Sequence, residues 1–175
     1  MRWDGTLDDL PQGIDGAFER AFEEGGGNVL CAVGVYVAPA VRGRGWSRRA
    51  LESMLDLARG QRFEAMIAPV MPTWKHRYPI TPIERYAHWR RDDGLPFDPW
   101  IRTHARLGAK ILKPEPRSVQ VTGSVGEWED WTGLALPESG EYVIPRGLAT
   151  VAVDREADRG LYYEPNVWMR HEVAP

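Results

Sequence analysis

Thirteen residues, Val35-Tyr36-Val37-Ala38-Pro39-Ala40-Val41-Arg42-Gly43-Arg44-Gly45-Trp46-Ser47, carry the clearest chemistry in the chain. An apolar run ends at Pro39, and a short loop then sets two glycines beside two arginines. Leu51, Met54, Leu55 and Ala58 follow at i, i+3, i+4 and i+7, the spacing of an amphipathic helix. The amides of a helix start are unpaired and point outward, and the helix dipole favours negative charge there. Glycines let a phosphate approach the backbone closely, and Arg42 and Arg44 add fixed positive charge. The segment therefore reads as a diphosphate-binding turn. Two further places hold groups able to move a proton or hold an acidic ligand: His104, and the run Trp74-Lys75-His76-Arg77-Tyr78-Pro79.

Two common diphosphate loops do not fit. A P-loop requires Gly-Lys-Ser/Thr, and this loop has no lysine. A dinucleotide fingerprint requires a third glycine where Arg48 stands. What fits is R-x-x-G-x-[G/A], written here Arg42-Gly43-Arg44-Gly45-Trp46-Ser47, with Ser47 as a small departure from the usual Gly or Ala. This loop resembles the acyl-CoA pyrophosphate loop of the GNAT superfamily of N-acyltransferases. The resemblance covers residues 28–125 and implies an α/β (α+β) fold: a mixed sheet with splayed central parallel strands and helices on both faces. It implies that free backbone groups from Val33 to Val37, Val35 and Val37 among them, bond the pantetheine amides. Arg42, Gly43, Arg44, Gly45, Trp46 and Ser47 would hold the pyrophosphate, and a backbone N–H around Val37 would stabilise the oxyanion. The co-substrate would be acetyl-CoA or another acyl-CoA, with no metal.

The elements that must position these groups follow from pattern. Ile14, Phe18, Ala21 and Phe22 give a short helix one apolar face, and Gly25-Gly26-Gly27 ends it. Residues 28–38 read as a strand with near-continuous apolar character, covered on both faces. The helix after the loop stops near Gly60, and residues 65–70 form the next strand, parallel to the first through a right-handed crossover. Asp98-Pro99 opens a helix as N-cap and first helical position. Residues 119–122, 141–144, 148–153 and 161–169 read as strands, and residues 127–136 as an irregular, Trp-rich stretch. The whole is one domain over residues 1–175: lead-in and short helix to residue 27, a CoA-binding core over 28–125, and antiparallel strands over 126–175.

Composition narrows the function. The net charge is −3 over 175 residues, which gives no reason to expect nucleic acid as a partner. Cys31 is the only cysteine, so neither a disulfide framework nor a cysteine metal site is available. No apolar run is long enough to span a bilayer, and a cytoplasmic protein away from membranes is expected.

The GNAT resemblance also implies a proton donor for the leaving thiolate, usually a tyrosine four residues before a glycine. Here His104 stands four before Gly108, and its unperturbed pKa near 6.5 suits an acid near neutrality. A packed core histidine is the competing reading. Lys75, His76 and Tyr78 are expected to contact the substrate, a small-molecule or protein amine. No residue presents itself as the base that removes the amine proton. With only 27 residues ahead of the first strand, an apolar sheet edge is left to cover. A chain shortened at its N-terminus, or a homodimer, would account for that cover. Three functions are open on these grounds: acyl transfer to an amine, a non-catalytic acyl-CoA-binding module and, with less behind it, a nucleotide-binding α/β domain.

Overall fold

The computed structural model describes residues 1–173. In chain order the elements are α1 (Gly13–Glu24), β1 (Val29–Cys31), α2 (Trp46–Gly60), β2 (Ala65–Val70), α3 (Ile83–Tyr86), α4 (Pro99–Arg106), β3 (Lys110–Gly123), α5 (Val125–Thr132), β4 (Gly140–Val143), β5 (Thr150–Asp154) and β6 (Arg159–Glu172). The six strands form one mixed sheet in the order β1-β2-β6-β5-β4, with β3 along the other edge of β6. Only β1 and β2 are parallel; the other pairs run antiparallel. Helices cover both faces. Val29, Ala65, Ile67 and Trp168 pack with Ala17 of α1 on one side. Met66, Ala68, Val70, Val167 and Met169 pack against α2, α3 and α4 on the other.

Two local features open the sheet. The first is where β1 ends. Cys31 pairs with Ile67, and the Ala32 amide donates to the Ile67 carbonyl at 2.8 Å. In a parallel ladder the next bond would come from the amide of residue 69 to the carbonyl of residue 32. Residue 69 is proline and has no such donor. The chain therefore leaves β2 here, and residues 32–38 run on outside any strand. Val33, Val35 and Val37 are half-buried while Gly34, Tyr36 and Ala38 are exposed. This alternation replaces the strand expected over 28–38 with both faces covered.

The second opening lies on β6. The β2 ladder ends at Val70–Val167, and the β5 ladder begins at Val151–Tyr162 on the same edge. Residues 163–166 consequently have β3 on one side and no strand on the other. Four residues at about 3.3 Å each make a window about 13 Å long.

The lead-in is not irregular padding. Met1 exchanges backbone hydrogen bonds with Val29, covering the free edge of β1 at that residue. Trp3 and Leu10 are buried in the α1-side core. The start of α1 is fixed by close packing on β3: Gly13 lies at φ +62, and a Cβ there would meet the Ser118 backbone at 2.1 Å. Residues 127–136 are also more ordered than expected. Ser124 and Glu127 form a reciprocal capping box that starts α5, and Trp128 packs over Gly160.

Candidate active site

The glycine loop forms as its sequence suggests. A 3-10 turn over Pro39–Val41 leads into Gly43 and Gly45, both at φ +78, and Gly45 caps α2. A Cβ at either glycine would meet nothing within 4 Å, so the loop stands open toward any ligand. Among the described residues the amides from Gly43 to Ser47 have no backbone acceptor. That is the donor array an anionic group requires. Arg42 stays close by, its Nε donating to the Val37 carbonyl at 3.1 Å. That carbonyl is therefore occupied, a correction to the expectation that all backbone groups from Val33 to Val37 are free. Arg44 is exposed and lies off the cleft wall.

The split between residue 32 and β2 widens into a cleft of about 860 Å³. Val35, Val37, Arg42, Gly43, Gly45, Trp46 and Ser47 line it. Ala68, Val70, Leu51, Met54 and Trp100 add apolar surface, and His76, His104, Arg146 and Glu164 bring the polar groups. An apolar lining joined to an amide-rich loop suits a phosphopantetheine arm and its diphosphate.

His104 lies on α4 and is buried, with its Nδ1 3.0 Å from Nε2 of His171 on β6 and its ring edge-on to Trp100. One ring must donate and the other accept, so at most one of the two can be charged. Burial, with His171 adding to it, takes the His104 pKa down to about 3. The imidazolium acid expected from the unperturbed value does not form near neutrality. What this ring can offer is a neutral N–H or a lone pair.

The segment after β2 is held by one carboxylate. Asp98 caps α4 through the amides of Trp100 and Ile101, and also accepts from the amides of Thr73 and Trp74 and from the Tyr86 hydroxyl. This anchors His76 at the cleft. His76 Nδ1 lies 2.9 Å from the Thr73 carbonyl, an acceptor only, so Nδ1 carries the proton and the neutral ring keeps its lone pair on Nε2.

Lys75 and Tyr78 are placed differently from expectation. Lys75 is buried, and its ammonium donates to the carbonyls of Tyr78, Pro79 and Leu148. Burial lowers its pKa to about 8, partly offset by Glu84. It ties the β4–β5 loop to the segment after β2 and does not reach the cleft. Tyr78 packs into an aromatic cluster with Tyr86, Trp89 and Phe97, a wall behind the cleft and not its lining. Cys31 is no nucleophile: burial pushes its thiol up to about 12.

Glu164 and Arg146 escaped the sequence reading. Glu164 lies in the β6 window and lines the cleft, and burial raises its pKa. The lone charge among strand residues 161–169 was the available signal. Arg146 follows a proline in the β4–β5 loop, where pattern says only that the chain turns.

Comparison with known proteins agrees with this geometry. No protein-family model matches the chain. The chain is 35% identical over 195 residues to an arginine N-acetyltransferase, avaD, of Aspergillus versicolor, a match over 95% of this chain and 66% of that protein. The chain thus spans a little under two thirds of that relative. Among solved structures, the loading GNATL domain of CurA from Lyngbya majuscula superposes with a TM-score of 0.52 at 23% identity. That match covers 84% of this chain and 56% of the other, and at this identity it speaks to the fold alone. The fold is GNAT-like, and in sequence the chain is similar to an N-acetyltransferase.

Proposed function

We propose that this chain transfers an acetyl group, or another acyl group, from CoA to the amine of a small molecule. The observation that carries the reading is the pairing of unpaired amides at Gly43 to Ser47 with the split that Pro69 imposes beside them. The loop amides and Arg42 would grip the diphosphate, and the apolar trough from Val35 to Trp100 would take the pantetheine arm. The thioester would then lie near His104 and the window in β6. The arginine acetylation named for the Aspergillus relative supports a small amine as acceptor.

The chemistry needs three things from the chain. The acceptor nitrogen must be neutral to attack the thioester carbon, and His76, which lines the cleft, takes its proton on Nε2. The carbonyl oxygen, charged in the tetrahedral intermediate, accepts from a backbone N–H around Val37. The carbon–sulfur bond then breaks. With the shared proton of the histidine pair on His171 Nε2, His104 carries its own on Nε2 and donates a hydrogen bond to the departing sulfur. Because CoA and amine bind together and no cysteine is reactive, transfer is direct.

The test follows free thiol while acetyl-CoA is incubated with arginine and a panel of amines. Thiol release that needs an amine, and that falls at least tenfold in His104→Ala, is the expected result. Tight CoA binding with no thiol release from any amine would favour the non-catalytic binding module instead.

A further inference from the structure

Two opposite charges line the cleft, and no described residue neutralises either. Glu164 is half-buried in the β6 window, and among the described residues its carboxylate takes part in no hydrogen bond or ion pair. A carboxylate withdrawn from water without a partner is costly. It is a group built to receive something. Arg146 lines the same cleft and likewise has no acidic partner among the described residues, Glu164 included.

Arg146 is also held in a conformation that proteins seldom give arginine. Its φ is +63, in the left-handed region. The neighbouring residues hold it there. A Cβ at Gly147 would meet Ile144 Cγ1 at 2.5 Å, so this position is closed to other side chains. Leu148 is fixed at both ends: its amide donates to the Tyr162 hydroxyl at 3.0 Å, and its carbonyl accepts from the buried Lys75. Tyr162 stands two residues before Glu164 on β6. The loop that presents Arg146 and the strand that presents Glu164 are therefore bolted together. Backbone strain maintained by such bracing is characteristic of ligand sites.

We propose that Glu164 and Arg146 are the two ends of an acceptor clamp, Glu164 receiving the cationic nitrogen of the acceptor and Arg146 its carboxylate. The acceptor is then a free amino acid, not an amine within a protein chain. The inference rests on the acyl-transfer reading above, since it places the acceptor beside the thioester. Glu164 reaches the cleft through the β6 window. Asn166, two residues on and so on the same strand face, bonds Ser118, which also accepts from the amide of Ile14 at the start of α1. The amino acid therefore enters from the α1 face, opposite the face on which α2 and the diphosphate loop lie. Two substrates approaching from opposite faces can occupy one cleft together.

The test is calorimetric and independent of turnover. Arginine, agmatine (arginine without its carboxylate) and CoA are titrated separately into wild-type protein, Glu164→Gln and Arg146→Gly. Glycine suits residue 146 because it accepts φ +63 without strain, and glutamine keeps the shape of residue 164. Unchanged melting curves confirm that each variant is folded. Wild type is expected to bind arginine at least tenfold tighter than agmatine. Arg146→Gly should abolish that preference while leaving agmatine as it was. Glu164→Gln should weaken both at least tenfold. CoA affinity should be unchanged in all three proteins. Arginine affinity equal to wild type in both variants would overturn the clamp. So would wild type binding CoA but not arginine, or CoA affinity falling together with arginine affinity in Glu164→Gln. Failure of wild type to bind CoA would instead overturn the acyl-transfer reading on which the clamp rests.

Discussion

At the scale of single residues, environment decides more than identity. His104 is the plainest case. Its place four before Gly108 could be read from the sequence, but its neutrality could not, because that comes from burial in the folded chain, with His171, 67 positions away, adding to it. The consequence is measurable. In the unfolded chain the ring takes a proton near pH 6.5, and in the folded protein only near 3. Between those values the unfolded state binds more protons, so stability falls as the pH drops below 6.5, by up to about 1.4 kcal/mol per pH unit for such a ring. Denaturant titrations across that range should show the slope, and His104→Gln should flatten it. An identical slope in the variant would show that the histidine pair is not its source. Arg42 makes a milder prediction. As an exposed cation it contributes about 0–1 kcal/mol, so Arg42→Ala should weaken CoA binding by no more than about fivefold. A loss of a hundredfold would mean that side-chain charge, not the backbone, grips the diphosphate.

At the scale of elements, the helices and the parallel pair were legible because their signals are local. Asp98-Pro99 announced α4, the spacing of Leu51, Leu55 and Ala58 announced α2, and residues 65–70 were read as β2 to the residue. What was missed depends on distant partners. Glu164 is the lone charge between residues 161 and 169, and its surroundings appear only when β2 and β5 are seen to stop on either side of it. Lys75 looked like a free cation in a loop, yet its acceptor Leu148 is 73 residues away. The α5 capping box, Ser124 with Glu127, is by contrast a local signal. Pro69 is a local cause with a distant effect, since its missing N–H ends the β1–β2 ladder. Pro69→Ala restores that donor opposite the Ala32 carbonyl. The amide of residue 69 should become protected from hydrogen exchange in the free protein, and CoA should bind at least about threefold more weakly. An unprotected amide with unchanged affinity would mean that the split has another origin.

At the scale of the whole molecule, one sheet is opened twice, and the two openings share a cleft. The split beside β1 meets the face that carries α2 and the glycine loop. The window in β6 meets the face that carries α1. Asp98 fixes the segment bearing His76, and Lys75 fixes the loop bearing Arg146, so the cleft walls are braced from both sides. The lead-in belongs to this frame, with Trp3 and Leu10 completing the core under β1. Among the described residues no helix is long and apolar enough to cross a membrane. Everything this molecule does with an acyl-CoA requires the backbone between residues 43 and 47 to grip a diphosphate. Calorimetric titration of CoA into wild-type protein and Gly45→Val tests this most directly. Valine at φ +78 is strained, and its branches would stand where the diphosphate must lie. The account predicts saturable one-to-one binding to wild type, weakened at least tenfold in the variant. Equal affinity in the two proteins, or no binding to wild type, would contradict it.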